Sequence, residues 1–199
     1  MSYVAGVALQ AAVYQHLRLG SGFGLAEDEA ETAALAGFLR AAIATIEART
    51  GKVLLTRRFR MQLDDWRDRL GQTLPLAPVN AVERIEIDDG SGTVTELPAA
   101  SWRLIADLQR PMILPAGVIL PNVPRLGSLT ITFMAGFGDE WDAVPADLAQ
   151  AVMMLAAQFY DDRSFAGSKS ALPFGVSALI ERWRAVRTLA GRGASREVR

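Results

Sequence analysis

The residues of this chain that could do chemistry are mainly carboxylates, because the sequence has one histidine and no cysteine. Neighbouring carboxylates can act in acid–base catalysis or bind Mg²⁺. The acidic groups are Glu27 to Glu31, Asp64-Asp65 with Asp68, Asp139-Glu140 with Asp142, and Asp161-Asp162. None has a diagnostic spacing, and acids at helix starts and in turns are ordinary solvated groups. The sequence therefore predicts no catalytic residue and no metal ligand.

Two other features resemble functional motifs without matching them. His16 is a lone histidine on a short predicted helix, where a packing or surface role is the usual one. Gly20 to Gly24 reads GSGFG before a helix, but it lacks the GxGxxG spacing and the lysine of phosphate-binding loops. We expect a flexible connection there and no cofactor.

The strongest charge asymmetry lies at the C-terminal end, where six arginines between residues 182 and 199 face one acid, Glu197. A solvated helix face with a basic tail would produce this pattern, and so would docking to an acidic protein or to DNA phosphate. No interleaved aromatic residues mark a base-stacking surface, so a protein partner is favoured. The candidate docking residues are Arg182, Trp183, Arg184, Arg187, Arg192, Arg196 and Arg199.

Composition limits the remaining possibilities. The chain has 199 residues, half of them hydrophobic, which is enough for a substantial core. A formal net charge of −1 gives no overall attraction to nucleic acid or membrane. No stretch approaches the ~20 apolar residues of a membrane span, and the lack of cysteine excludes a disulfide framework. We expect a globular protein that does not enter a membrane.

Helical periodicity appears at both ends of the chain. A short helix is predicted from Tyr3 to Val13, and a longer one begins at the acids of residues 27–31 and stops at a Gly51 cap. A third is expected from Pro145 to Arg163, and a last one from about Val176 to Leu189. The buried stripe of the second helix is Leu35, Leu39, Ile43 and Ile46. That of the last helix is Leu179, Ile180, Trp183 and Val186, and Trp183 and Phe174 are candidate packing anchors around it.

Between Val53 and Phe133 the apolar period changes to two, which is typical of strands. Asp88 to Gly92 reads as a hairpin loop. Seven prolines within this stretch favour short strands, and strands contiguous in sequence favour antiparallel pairing. Gly136 and Gly138 then free the backbone to turn into the third helix.

Six short sequence segments occur in an order that resembles one protein family. They are His16-Leu17-Arg18, Ile46 to Gly51, Thr130 to Gly138, Val144-Pro145, Tyr160 to Arg163 and Leu172 to Val176. Together they are similar to the head-to-tail connector, or adaptor, proteins of long-tailed phages and phage-derived gene transfer agents. Two features depart from that pattern, the glycine-rich stretch before the acidic helix and the basic tail. The predicted structural turns are Gly136, Gly138, Pro173 and Gly175.

The resemblance implies an α+β fold: a helical adaptor core of about four helices with a small antiparallel β region inserted between the second and third. It also implies a virion structural protein at the head-tail junction, made in the bacterial cytoplasm. About twelve copies would form a ring that joins the portal to the next neck protein, of the stopper or head-closure type. DNA would pass through the lumen without being read. No enzymatic activity and no cofactor are implied.

The sequence also suggests a division of the chain. Residues 1–52 and 139–190 would supply the helices of the core, residues 53–138 the β insertion, and residues 191–199 a flexible basic tail. Two alternatives to the adaptor stay open at this point. One is a nucleic-acid-binding packaging subunit that uses the same arginines, and the weaker one is a carboxylate-based enzyme.

Overall fold

The computed structural model describes residues 27–162 and 172–184. Its helices are α1 (Glu27–Thr50), α2 (Ala146–Asp161) and α3 (Phe174–Ile180), and a 3₁₀ turn, Glu181–Trp183, follows α3 directly. α2 packs between α1 and α3. None of the described helices is long and apolar enough to cross a membrane.

The helices share one hydrophobic core. The predicted stripe of α1 is confirmed, since Leu35, Leu39 and Ile46 are buried there and Ile43 packs at the edge. The other fully buried members come mainly from α2 and α3, and they include Leu148, Ala151, Val152, Leu155, Val176 and Ile180. α1 ends where the sequence predicts, because Gly51 takes the left-handed conformation at φ +68° and its N–H donates to the Glu47 carbonyl at 2.8 Å.

Seven strands lie between α1 and α2 in two antiparallel sheets. They are β1 (Arg57–Leu63), β2 (Gln72–Thr73), β3 (Val79–Asp88), β4 (Val94–Glu96), β5 (Trp102–Ile105), β6 (Met112–Pro115) and β7 (Ser128–Ala135). The larger sheet has the order β1-β7-β3-β4 and the smaller one β2-β6-β5. The predicted antiparallel pairing and the hairpin between Asp88 and Val94 are confirmed.

The sheets enclose a second core that is separate from the helical one. β7 is its centre, because Ile131 pairs with Met61 on one side and with Ile85 on the other. Phe133 lies opposite Phe59 in register, and their rings stack with centroids 5.7 Å apart. Residues beyond the strands, such as Trp66, close this core.

The predicted fold class, a four-helix adaptor core with a small β insertion, is wrong. The described chain has three α-helices and seven strands, and the strands form two antiparallel sheets that make up much of the fold. The expected short strands are found in β2, β4, β5 and β6, which have two to four residues each, whereas β3 has ten and begins directly after Pro78. Two sheets that cover each other bury a core of their own, so this region is no minor insertion.

Two other predicted features concern the ends of the chain. The last helix does not run from Val176 to Leu189, because α-helical geometry ends at Ile180 and Arg184 is extended, with ψ 134°. The predicted first helix, Tyr3 to Val13, lies outside the described residues. The division of the chain at residues 52, 138 and 190 stays a prediction.

Candidate functional site

A cluster of side chains ties the end of the described chain to the start of α2. The Trp183 Nε1–H donates to Asp147 Oδ2 at 2.6 Å, and Arg182 Nε lies 2.6 Å from the same oxygen. The guanidinium carbon of Arg182 is 4.9 Å from the centre of the Trp183 ring. The Phe137 ring meets the Trp183 ring edge-on, with centroids 5.6 Å apart. We call Phe137, Asp147, Arg182 and Trp183 the C-terminal clasp.

The local sequence explains why these groups meet. Asp147 lies in the first turn of α2, where the helix dipole favours an acid, and its Oδ1 accepts the Leu148 N–H at 3.0 Å. α3 has only seven residues, too few to be stable without tertiary contacts. The 3₁₀ turn after it brings Arg182 and Trp183 over the Asp147 carboxylate. The clasp therefore fixes where the C-terminal segment leaves the helical core.

The clasp makes the stability of the protein depend on pH. Partial burial raises the pKa of Asp147, but the hydrogen bonds from Trp183 and Arg182 outweigh this effect and leave the pKa below its ordinary value. A carboxyl with a lowered folded pKa stabilises the protein above its ordinary pKa, and this stabilisation is lost as the pH falls through the lowered value.

We expect wild type to be more stable than Asp147→Asn near neutral pH, and this difference to shrink as the pH falls through the acid range. Urea unfolding at a series of pH values measures it. The same substitution in a Trp183→Phe background should show a smaller pH-dependent difference, because one donor to the carboxylate is absent. A difference independent of pH would contradict the assignment.

The docking residues predicted from the sequence fall into three groups in the structure. Trp183 is 7% exposed and belongs to the helical core. Arg182 and Arg184 are exposed, and each has an acidic partner: Arg182 pairs with Asp147, and Arg184 with Glu181 at 3.1 Å. The remaining four lie outside the described residues: Arg187, Arg192, Arg196 and Arg199. Docking by this set stays a prediction.

The glycine turn between β7 and α2 is bonded to the segment that leaves α1. Gly136 has φ +143°, and a Cβ there would lie 2.6 Å from the Leu55 carbonyl carbon and closer still to the Thr56 backbone. The Thr56 N–H donates to the Gly138 carbonyl at 2.8 Å, and the Phe137 N–H donates to the Leu54 carbonyl at 3.2 Å. The β region thus joins the helices through backbone contacts that only glycine allows at Gly136.

The second predicted turn begins α3. The Pro173 carbonyl accepts the Ser177 N–H at 2.9 Å, as in the first turn of a helix. Gly175 lies against α2, where an added Cβ would be 2.7 Å from Met154 Cε. Phe174 between them is 89% exposed, although the sequence suggested a packing anchor. The close approach of α3 to α2 turns its first aromatic side chain toward solvent.

The other groups considered for chemistry do not converge in the described structure. Asp65 accepts the Trp66 N–H and Asp68 accepts the Leu70 N–H, so both stabilise turns. Asp162 accepts the Gln158 side-chain amide at 2.9 Å. Within residues 27–162 and 172–184 no three acidic or histidine side chains form a metal-binding cluster. His16 and the GSGFG stretch lie outside these residues.

One polar residue with a clear structural role, Lys52, was not predicted from the sequence. Lys52 is 1% exposed, and its Nζ donates to the Leu108 carbonyl at 2.7 Å and to Gln109 Oε1 at 2.8 Å. Burial lowers the pKa of Lys52, and the nearby Asp107 carboxylate opposes this shift. Lys52 thus ties the end of α1 to the β5–β6 loop. Its position among almost exclusively arginine cations was the only sequence signal for it.

Comparison with solved structures found close relatives over nearly the whole chain. A chain in the "Neck of empty GTA particle computed with C6 symmetry" is 52% identical, with TM-score 0.83. A chain in the "Virion of native gene transfer agent (GTA) particle" is 50% identical with TM-score 0.81, and one in the "Neck of native GTA particle computed with C12 symmetry" is 47% identical with TM-score 0.79. Each match covers 96% of both chains. No family model matches the chain, and neither does any curated protein.

Proposed function

Because this chain belongs to the neck, or head-to-tail connector, proteins of phages and gene transfer agents, we propose that it is a structural subunit of a ring at the head-tail junction of such a particle. The observation that supports this role is 47–52% identity to neck and virion chains over 96% of each chain. Identity this high over 96% of each chain implies the same fold. We infer a role in assembly and no enzymatic role.

We further propose that the ring has about twelve copies and joins the portal to the next neck protein, leaving a channel for DNA. The C12 and C6 symmetries named for the related particles support a closed ring. In such a ring each copy uses two different surfaces to contact its two neighbours. Residues that face the channel must let DNA pass, so they should offer few free cations to its phosphates.

The C-terminal segment is our candidate for the portal contact. Arg184 is exposed and extended where the described chain ends, directly after the clasp. The clasp would fix the position of Arg184, so that the arginines that follow it in the chain start from a defined position relative to the portal. Arg182 and Arg184 already have acidic partners, so the free charge for docking is expected mainly from the arginines beyond residue 184.

Electron microscopy of the purified protein mixed with purified portal rings tests both proposals. The full chain should add a ring to one end of the portal, and its absence would contradict the proposed function. Deleting Gly191 to Arg199 should weaken portal binding at least tenfold, because it removes charges that pair with acidic groups. Replacing Arg192, Arg196 and Arg199 with glutamine is the matched variant that keeps chain length. Unchanged binding by both variants would contradict docking by the tail.

The same preparations test the packaging-subunit alternative. A DNA-binding subunit should hold duplex DNA with an affinity that falls steeply with salt, because phosphate contacts release counterions. The described arginines at the C-terminal end already have acidic partners, which gives a DNA backbone little free charge there. We therefore expect weak DNA binding. Strong, salt-sensitive binding by the isolated protein would favour the alternative.

A further inference from the structure

Two exposed apolar patches lie in and beside the loops of the β region. The first, which we call the loop patch, consists of Leu70, Val118 and Ile119, which are 64%, 85% and 48% exposed. The second, the hairpin patch, consists of Val94 and Leu126, which are 57% and 85% exposed. Exposed apolar side chains grouped in this way commonly mark protein contacts.

The loop patch is held in place by hydrogen bonds beneath it. The Leu120 N–H donates to the Arg69 carbonyl at 2.8 Å, and Arg69 Nε donates to the Leu120 carbonyl at 3.0 Å. The Trp66 indole N–H donates to the Pro121 carbonyl at 2.8 Å. Leu120 itself is fully buried. The side chains at 118 and 119 therefore point outward from an ordered loop, which lowers the entropy cost of docking.

The hairpin patch is ordered as well. Gly90 in the β3–β4 loop lies against the Leu126 backbone, where an added Cβ would collide with it. Val94 pairs with Asp88 across the same hairpin. The patch thus combines an edge strand with the loop that precedes β7.

Both patches use the segment between β6 and β7, and each adds a different second segment. The larger sheet runs β1-β7-β3-β4, so β1 and β4 are its opposite edges. Leu70 follows β1 in the chain, whereas Val94 begins β4. A closed ring needs two unlike surfaces on each subunit, and the two patches differ in their residues and in the strands beside them.

Charge supports contact between the two patches of different copies. Glu96 on β4 is exposed, lies directly opposite Glu86 in register, and has no ion pair among the described residues. Like charges opposite each other destabilise a strand pair, and only Glu86 is relieved, by Arg84 at 3.3 Å. Arg67, three residues before Leu70, is exposed and likewise has no ion pair in the described part of the chain.

We propose that the loop patch of one copy packs on the hairpin patch of the next copy in the ring, with Arg67 pairing to Glu96 across the contact. This inference rests on the proposed function, because it assigns the lateral surfaces of that ring. The occupant of each patch is a second copy of this chain. The contact repeats around the ring without using the C-terminal segment, so lateral contacts and portal docking involve different parts of the chain.

Cysteine cross-linking tests the contact directly, since the natural chain has no cysteine. The double variant Val118→Cys with Leu126→Cys places one thiol on each patch. After treatment of assembled portal–ring complexes with a short bismaleimide, we expect a ladder of covalent oligomers extending beyond dimer. Either single variant should give no species above dimer. Val118→Cys with Leu108→Cys is the matched control, because Leu108 is 43% exposed but belongs to neither patch, and it should give no ladder.

The outcomes separate this inference from the proposed function. Rings present on the portal with no ladder, or with a cross-link within one chain only, would overturn the lateral contact and leave the ring assignment standing. Rings absent with the wild-type chain would instead contradict the proposed function.

A charge exchange tests the ion pair with a readout that a merely structural role would not give. Arg67→Glu and Glu96→Arg should each raise the concentration needed for half-maximal ring occupancy on the portal about tenfold, because each creates like charges at every contact. The double exchange should restore it to within about threefold. Failure of the double exchange to restore assembly would contradict the pairing of Arg67 with Glu96.

Discussion

Replacing Gly136 with alanine is expected to lower the free energy of unfolding by about 3 kcal/mol or more, or to prevent folding altogether. The residue has φ +143°, which L-residues rarely adopt, and the space for a Cβ is taken by the backbone of Leu55 and Thr56. Backbone atoms cannot move aside as a flexible side chain can. A loss of this size is a large part of the ~5–15 kcal/mol that stabilises a typical domain.

Urea unfolding followed by circular dichroism measures this loss, and two other glycines supply controls. Gly117 has open space around its Cβ position, so Gly117→Ala should change stability by about 0.5 kcal/mol at most. Gly37 lies inside α1 with open space, so Gly37→Ala should stabilise the protein by ~0.5–1 kcal/mol. A Gly136→Ala protein as stable as Gly117→Ala would show that the turn does not constrain the junction of sheet and helices.

Replacing Trp183 with alanine is expected to cost ~3–5 kcal/mol, because it empties a buried site and removes a hydrogen bond to an ionised carboxylate. The ring contacts Phe137 and donates to Asp147, so its loss would also free α3 from α2. Trp183→Phe keeps most of the volume and loses only the indole N–H, so it should cost less, ~1.5–3 kcal/mol.

Two measurements distinguish this clasp from ordinary packing. Urea unfolding gives the free energies, and limited trypsin digestion reports cleavage after Arg182 and Arg184, which should accelerate in Trp183→Ala. Phe174→Ala is the matched control, since this aromatic lies on the same short helix but is 89% exposed, and it should cost ~0.5 kcal/mol or less. Equal effects of Trp183→Ala and Phe174→Ala would contradict the clasp.

The burial of Trp183 and the exposure of Phe174 could not be predicted from the sequence. Both residues lie in or beside the last predicted helix, and the sequence suggested a packing role for each of them, with docking as a further candidate role for Trp183. The structure places Trp183 at 7% and Phe174 at 89% exposure. The difference depends on Asp147, 36 residues away from Trp183 in the chain, and no local pattern reports such a partner.

Part of the candidate site could be predicted from the sequence, because some of its features depend on single residues. Glycine at positions 136 and 138 after an alternating strand indicated a turn, because backbone freedom is a property of single residues. The clasp, the burial of Lys52 and the two apolar patches were not predictable. The loop after β6 lies beside Leu70 because it bonds to Arg69, a pairing between segments about 50 residues apart.

The sequence by itself determined the extents of α1 and α2, the alternation of the strands, the Gly51 cap and the family, because these follow from local periodicity, single-residue conformations and the order of short phrases. Only the tertiary structure decided the fold class. Whether strands form a minor insertion or two sheets with their own core depends on which apolar faces cover each other, and that is set by contacts between residues distant in the chain. The same long-range packing decided which apolar side chains remain exposed for a neighbouring copy.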